Sequence, residues 1–307
     1  MSTVLVTGAR GFIGRSLVAQ LATAGHAVRM PAREARLDEW HDAPWTDALS
    51  GVDVVIHLAA RAHVMREQSA DPFTAFRTIN VDGTSQLARA AARAGVRRLL
   101  FVSTIGVLGN ETHDEPLSDA SPPSPRGPYA ISKHEAELAL QDVCAASDLE
   151  YVTLRPPLVV GAGAPGNLAR LLRLADSALP LPLATVRNQR SYVGVRDLCV
   201  VLMNCMTGAA NRNKVYVVAD PERLSTPELI SIMRRRMGRP ERLVPFPPRL
   251  LRRIARCAGL DAEAERLLGS LVVDASRMAR VAYPSHPVGL RREIEAMVDG
   301  YRAGRPG

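Results

Sequence analysis

One stretch near the start of the chain, TVLVTGARGFIGRSLVAQLATAG, limits the possible folds more than any other. Residues 3–7 form an apolar run of strand type, and glycines follow at positions 8, 11 and 14 as a helical pattern begins over 12–24. A strand that turns on glycines into a helix is the first half of a βαβ unit. Gly8 permits the tight turn, Gly11 leaves room for a phosphate, and Gly14 lets the helix pack closely. The spacing predicts a dinucleotide site at this turn.

The alternation of strand and helix continues over about the first 150 residues. Further strands are predicted at 26–31, 52–60, 97–104 and 149–156, and helices at 79–95 and 127–147. Strands joined by helices pair in parallel, so we predict an α/β fold, a Rossmann-type doubly wound parallel sheet. The pattern loosens after Pro156. We therefore expect a dinucleotide-binding domain over 1–160 with a return strand near 188–220, and a smaller substrate-binding region over 161–187 and 221–307.

Composition excludes several classes of protein. The 307 residues carry a net charge of +8, and the densest basic runs lie at 233–242 and 249–256. We interpret these runs as solvated helix faces, with attraction of an anionic substrate as the alternative. Zinc-finger and RRM signatures are absent, so we expect no nucleic-acid partner. Four cysteines without metal spacing, no leader-like segment and no apolar run of about 18 residues favour a cytoplasmic protein without metal, disulfide or membrane span.

The end of the second predicted strand bears on the choice between NAD and NADP. Ala32 stands where an acidic residue would bind the ribose of NAD, Arg33 follows it, and Arg10 lies in the glycine turn. An arginine suits the 2′-phosphate of NADP. The sequence favours NADP, although Glu34 could still reach a ribose hydroxyl and favour NAD.

The helix predicted at 127–147 carries the chemical residues. Tyr129 and Lys133 are four residues apart, and the chain has only one other lysine, Lys214. Residues at this spacing share a helix face, so we expect the ammonium to lower the pKa of the phenol and make Tyr129 an acid/base. The alternative is a chance pair on an amphipathic helix.

A hydroxyl pair ends the strand at 97–104. Ser103 and Thr104 fall at the carboxyl end of a parallel strand, where ligands of such sheets bind. Either hydroxyl could hold a substrate oxygen beside Tyr129. The alternative is capping of the following turn.

Six motifs occur together in one order: TGARGFIG, HLAAR, NVDGT, STIGVLG, PYAISK and LRPPLVVG. This set resembles the extended short-chain dehydrogenases/reductases, in the nucleotide-sugar epimerase/dehydratase branch, over nearly the whole chain. The resemblance implies a Rossmann fold with a small C-terminal substrate domain. It also implies a catalytic set of Thr104, Tyr129 and Lys133, in which Thr104 matches better than Ser103.

The resemblance further implies cofactor contacts along the carboxyl edge of the sheet. His57 and Arg61 would also lie along the cofactor, but His57 could equally be a hydrogen-bonded core histidine. The implied cofactor-binding residues are Gly8, Arg10, Gly11, Phe12, Ile13, Gly14, Arg33, Leu58, Ala59, Ala60, Asn80, Tyr129, Lys133 and Pro156.

Two more residues resemble substrate contacts of this family. Asn167 matches a position that touches the nucleotide diphosphate or the base, Arg190 matches one that binds the diphosphate, and Thr104 would touch the sugar. A helix cap for Asn167 and a surface location for Arg190 are the alternatives. Ile105 and Gly106 replace the acidic pair of the dehydratases, which argues against dehydration.

The resulting functional prediction is chemistry at C4 of a nucleotide sugar, expected to be UDP-linked, for the synthesis of surface polysaccharide. Between two activities we favour a 4-keto reductase, because Ala32 and Arg33 favour exchangeable NADPH. The first alternative is a UDP-sugar 4-epimerase with tightly held NAD. Two others are a non-catalytic dinucleotide-binding sensor or assembly protein, and a reductase of a free small molecule. By resemblance we expect a homodimer formed through the helices at 79–95 and 127–147.

Overall fold

The main layer of the protein is a six-stranded parallel sheet. A computed structural model describes residues 1–31, 45–62, 71–177, 179–208 and 211–304. The strands are β1 (Thr3–Thr7), β2 (Ala27–Arg29), β3 (Val54–His57), β4 (Arg98–Val102), β5 (Glu150–Arg155), β6 (Leu158–Val160), β7 (Arg190–Gly194), β8 (Lys214–Val217) and β9 (Arg223–Leu224). The strands of the large sheet follow the order β2-β1-β3-β4-β5-β8, and a three-stranded sheet has the order β6-β7-β9.

Helices cover both faces of the large sheet, which gives the predicted doubly wound arrangement. Within the described ranges they are α1 (Phe12–Thr23), α2 (Trp45–Leu49), α3 (Pro72–Arg77), α4 (Gly83–Arg93), α5 (Gly127–Ala145), α6 (Asn167–Asp176), α7 (Val195–Cys205), α8 (Thr226–Arg236), α9 (Pro248–Cys257), α10 (Asp261–Leu268), α11 (Ser276–Val281) and α12 (Leu290–Ala303). None of these helices combines the length and the apolar character that crossing a membrane requires.

Apolar side chains form a core on each face of the large sheet. Leu17 of α1 and Leu198 of α7 pack on one face, and Leu87 of α4 and Leu140 of α5 pack on the other. The central strands are buried throughout, as expected for a parallel sheet covered on both sides. This burial explains why their sequences are almost continuously apolar.

A further core lies in the second half of the chain. It joins the small sheet to α6, α8 and α12 through side chains such as Tyr192, Leu229 and Ile294. The strand that returns to the large sheet is β8, which pairs with β5, whereas β7 belongs to the small sheet. The division of the chain at 160/161, 187/188 and 220/221 stays a prediction.

The helix predicted at 79–95 is not α-helical in its first turn. A π-helical turn, Thr78–Asp82, links α3 to α4, and Asn80 is buried inside it. Such wide turns often lie at functional sites. The sequence pattern does not reveal it, because the apolar spacing of an α-helix continues through it.

Candidate active site

The glycine turn after β1 is closed on one side and open on the other. Gly8 has φ +68°, and a Cβ there would lie 2.7 Å from the Ala59 nitrogen. A Cβ at Gly14 would lie 2.2 Å from the Gly8 carbonyl oxygen. At Gly11 the nearest atom to a Cβ would be that same oxygen, at 3.1 Å. Gly8 and Gly14 are therefore required by the packing of the chain, while Gly11 keeps its outer side free for a ligand.

Helix α1 begins directly after this turn. It has no side-chain cap and no acidic residue in its first turn, so its first N–H groups remain available to an anion. Phe12 and Ile13 pack their side chains against the core, so only their backbone can face a phosphate. Arg10 is exposed, and its carbonyl accepts a hydrogen bond from Arg15 Nη1 at 2.8 Å.

The segment after β3 forms the adjacent rim of the site. Ala59 is buried against Gly8, while Leu58 and Ala60 are half-buried. Ala59 N lies 3.4 Å from the Thr7 hydroxyl, a long hydrogen bond that ties this rim to the end of β1. The predicted cofactor residues Leu58, Ala59 and Ala60 thus lie beside the glycine turn.

His57 is a core histidine, the alternative that the sequence left open. Thr84 Oγ1 donates to the Asn80 carbonyl at 2.6 Å, which leaves its oxygen to accept from His57 Nε2 at 3.1 Å. Thr7 Oγ1 lies 2.6 Å from His57 Nδ1 and donates to it. Burial, and after it the nearby Lys133 ammonium, lower the pKa of His57 to about 3. His57 is therefore neutral, with the proton on Nε2.

Asn80 connects the rim to the helix that bears the chemical residues. Its side chain accepts from Arg61 N at 2.8 Å and donates to Ser132 Oγ at 2.9 Å. Ser132 Oγ in turn donates to the Tyr129 carbonyl at 2.9 Å. Asn80 is thus linked to the backbone of Tyr129 through Ser132, which our sequence reasoning missed, and its predicted role at the cofactor stays a prediction. The only available signal was the position of Ser132 beside Lys133.

Tyr129 lies on the first turn of α5, and its ring meets Phe76 edge-on with centroids 6.2 Å apart. Burial raises the pKa of Tyr129 to about 12. This net shift is opposite in direction to the one expected from the neighbouring Lys133 ammonium. The spacing rule places both residues on one face but takes no account of desolvation, which opposes phenolate formation.

Lys133 is buried one turn further along α5. Its Nζ lies 3.9 Å from the centroid of the Phe101 ring, a cation–π contact. Burial lowers the pKa of Lys133 to about 7, and the Glu137 carboxylate opposes that shift. Glu137 is itself held by Arg155, with Nη2 and Oε2 2.5 Å apart. Lys133 is thus an amine whose charge changes near neutral pH.

Thr104 and Ser103 follow β4 at the carboxyl edge of the sheet. Thr104 Oγ1 accepts from Gly106 N at 3.2 Å and caps a short turn at Ile105–Val107. The oxygen of Thr104 therefore caps the following turn, which is the alternative role that the sequence left open. Within the described residues, no hydrogen bond uses the hydroxyl hydrogen of Thr104. Ser103 Oγ is buried and has no hydrogen-bond partner within the described residues. Ile105 N donates to the Pro156 carbonyl at 2.9 Å, which fixes the loop against the end of β5.

Arg190 and Asn167 lie in the second half of the chain. Arg190 on β7 is buried, not on the surface, and its Nη1 donates to the Gly269 carbonyl at 2.9 Å. Asn167 is the first residue of α6, whose cap is Gly166, so Asn167 is not a helix cap. No hydrogen bond among the described residues links either side chain to Thr104, Tyr129 or Lys133. Ala32 and Arg33, on which the prediction of NADP depended, lie outside the described residues.

The residues at this edge fit a dinucleotide. The open side of Gly11, the uncapped start of α1 and the half-buried rim after β3 form a cradle for a pyrophosphate. The unpartnered hydroxyl of Ser103 and the buried amine of Lys133 lie further along the same edge. The arrangement can place a hydroxyl, a phenol and an amine around a bound ligand.

Comparison with known proteins agrees with this geometry. Residues 4–219 match the sequence model of the NAD dependent epimerase/dehydratase family. A UDP-glucose 4-epimerase of Vibrio cholerae is 33% identical over 287 residues, covering 89% of this chain and 88% of the relative.

Two solved structures share the fold. They are the UDP-glucose 4-epimerase of Thermotoga maritima with UDP-glucose (TM-score 0.78, 21% identity, 98% and 99% of the two chains) and WbmH of Bordetella bronchiseptica with NAD+ (TM-score 0.76, 20% identity, 99% of each). The family match covers well over half of the chain, and the Vibrio relative covers nearly all of it. This chain belongs to the NAD-dependent epimerase/dehydratase family, with the fold of the extended short-chain dehydrogenases/reductases.

Proposed function

We propose that this protein is a UDP-sugar 4-epimerase. The observation that carries the proposal is the 33% identity to the Vibrio cholerae UDP-glucose 4-epimerase over 89% of the chain. The retained Thr104, Tyr129 and Lys133 support an enzyme over a non-catalytic sensor. The proposal replaces the 4-keto reductase that the sequence interpretation favoured, which depended on residues 32 and 33.

The proposed chemistry is proton transfer at the sugar O4. A nicotinamide dinucleotide held along the glycine turn would supply the acceptor and donor for the hydride at C4. Thr104 donates its free hydroxyl hydrogen to O4 and holds the sugar in place. Burial keeps Tyr129 protonated at neutral pH, which is the form that donates a proton to a C4 carbonyl. In the reverse direction its phenolate takes the proton of the C4 hydroxyl, and the cation of Lys133 on the same helix favours that phenolate.

Arg190 and Asn167 are the proposed contacts to the nucleotide diphosphate. One nitrogen of the Arg190 guanidinium is bound to the Gly269 carbonyl, which fixes its orientation. A guanidinium has five N–H groups, so donors remain for phosphate oxygens. We expect Arg190→Ala to raise KM for a UDP-sugar strongly, whereas a neutral small-molecule substrate would be little affected.

The first experiment identifies the dinucleotide that the purified protein carries. The protein is denatured, and the released dinucleotide is identified and quantified. A 4-epimerase keeps its cofactor through the cycle, so we expect retained NAD(H) near one per chain. We also expect interconversion of UDP-glucose and UDP-galactose without added dinucleotide.

A 4-keto reductase is the second candidate. It is favoured by the exposed Arg10 in the glycine turn, since a guanidinium suits a 2′-phosphate. An empty protein that binds NADPH better than NADH, and oxidises NADPH with a UDP-4-keto-6-deoxy sugar, would support this candidate and contradict the epimerase.

A further inference from the structure

Helix α9, Pro248–Cys257, presents apolar side chains to solvent. None of its residues is buried. Leu250 is 45% exposed and Ile254 is 51% exposed, and the two lie one turn apart on the same face. Cys257 continues this face and is exposed as well. We call Leu250, Ile254 and Cys257 the apolar strip of α9.

A different face of the same helix attaches it to the protein. Leu251 and Ala255 pack against the core of the second half of the chain. At roughly 100° per residue, the apolar strip lies about a quarter turn away from them. The helix is therefore anchored by one apolar edge, and the strip is not needed for that anchoring.

The arginines of α9 differ from those of the other basic run. The arginines of the run at 233–242 bind other groups of this chain. Arg234 donates hydrogen bonds to the Ala175 and Leu179 carbonyls. The ion pairs are Arg235–Glu241, Arg236–Asp299 and Arg239–Asp176.

Within the described parts of the chain, Arg249 and Arg253 of α9 have no acidic partner. Arg256 pairs only with the equally exposed Asp261. Arg249 directly precedes Leu250 of the apolar strip in sequence, and Arg253 directly precedes Ile254. The combination of unpaired cations and exposed apolar side chains on one short helix calls for an external partner.

We propose that α9 docks on the surface of an anionic lipid bilayer. The apolar strip would enter the boundary between headgroups and acyl chains, and Arg249 and Arg253 would reach lipid phosphates. A second copy of this chain is a poorer occupant. Three side chains bury far less than the roughly 800 Å² per partner of a stable interface, and two arginine-rich helices would repel each other.

The helix belongs to the half of the molecule that holds the predicted substrate residues. Arg252 Nη2 donates to the Leu268 carbonyl at 3.4 Å, and the next carbonyl, that of Gly269, accepts from Arg190 Nη1. Docking through α9 would therefore bring the part of the chain that holds Arg190 towards the lipid surface. The proposal does not depend on which reaction the enzyme catalyses.

The test is flotation of the full chain with vesicles of two compositions. One is phosphatidylcholine alone, and the other is equal parts of phosphatidylcholine and phosphatidylglycerol. We expect flotation with the anionic vesicles, weaker flotation at high salt, and little with phosphatidylcholine alone. Leu250→Ser with Ile254→Ser, and separately Arg249→Gln with Arg253→Gln, should each lower the partition coefficient about tenfold or more.

A matched variant controls for net charge. Arg280→Gln with Arg302→Gln removes the same charge from exposed positions on α11 and α12, and should float like the wild type. All the substituted side chains are at least partly exposed, so thermal unfolding should stay close to that of the wild type. Equal loss in the control, or no flotation at low salt, would overturn the proposal.

Cys257 offers an independent readout. It is exposed, whereas Cys144, Cys199 and Cys205 are buried, so an environment-sensitive thiol dye should label α9 selectively. We expect a blue shift of the dye emission on addition of the anionic vesicles. A blue shift that grows with protein concentration in the absence of vesicles would indicate a second copy on this face and would overturn the membrane proposal.

Discussion

At the scale of single residues, Lys133 shows what a lysine provides that an arginine cannot. Its ammonium is buried above the Phe101 ring, and burial lowers its pKa to about 7. A guanidinium stays charged in any protein environment, whereas a desolvated amine can lose its proton. In a chain with only two lysines among 39 basic residues, this explains the retention of a lysine at this position.

This pKa predicts how stability depends on pH. The folded pKa of Lys133, about 7, is below its ordinary value of 10.5, so between these values the unfolded chain binds more protons. Unfolding therefore becomes less favourable as pH rises through this window, by up to about 1.4 kcal/mol per pH unit from this group. Lys133→Met removes this titrating group. The free energy of unfolding of Lys133→Met relative to that of the wild type should therefore fall from pH 7 to 10.

The measurement is urea unfolding of dinucleotide-free protein at several pH values. Lys214→Met is the matched control, because the Lys214 ammonium stays in water. A difference between wild type and Lys133→Met that is the same at every pH would show that the buried amine does not titrate in this window.

Tyr129→Phe removes the proposed acid/base and little else. The edge-on contact with Phe76 uses the ring, and Ser132 bonds to the backbone carbonyl, so both survive the change. We expect turnover to fall about 100-fold or more, the usual contribution of a general acid/base. Dinucleotide binding, followed by fluorescence, should persist. Tyr151→Phe on β5 is the control, and near-wild-type turnover of Tyr129→Phe would exclude the proposed role.

At the scale of elements, helix α5 is held on the sheet by a buried ion pair. Glu137 and Arg155 of β5 are both buried and share three hydrogen bonds. Glu137→Gln keeps the shape but leaves the Arg155 charge uncompensated, which costs about 3 kcal/mol or more for a buried pair. We expect that loss in the free energy of unfolding measured with urea.

The same helix supplies the control for that prediction. Glu135 pairs with Arg77 at 2.9 Å, and in this pair the arginine is exposed and the glutamate only half-buried. Glu135→Gln should change the free energy of unfolding by about 1 kcal/mol or less. Similar losses of unfolding free energy in Glu135→Gln and Glu137→Gln would mean that burial does not increase the contribution of the Glu137–Arg155 pair to stability.

The sequence predicted the elements that are defined locally. Strand β1 is an apolar run ended by Gly8, and β5 is ended by Pro156, so the positions of both follow from neighbours in the chain. Contacts between distant segments were not predictable. The burial of Arg190 depends on the Gly269 carbonyl, 79 residues away. The sign of the Tyr129 pKa shift was missed because desolvation depends on everything packed around the phenol.

At the scale of the whole molecule, α4 and α5 leave an unfilled groove on their outer side. Leu138 of α5 is 47% exposed beside it. Small side chains and a few charges line the groove, among them Ser85, Arg89, Ala92, Ala139, Asp142 and Ala146. Two neighbouring helices with such a face can pair with the same face of a second copy about a two-fold axis. This surface is opposite the sheet from α1 and α7, so pairing would leave the glycine turn accessible.

The predicted homodimer can be tested through one position in this groove. Ala139→Arg places a long charged side chain where the second copy would pack, so we expect the mass in solution to fall from twice 33.2 kDa to 33.2 kDa. Sedimentation equilibrium measures it directly. Ala279→Arg makes the same change at an exposed alanine of α11 and should leave the dimer intact. A wild-type protein of 33.2 kDa at all concentrations would contradict the dimer, and a dimeric Ala139→Arg would place the interface elsewhere on the surface.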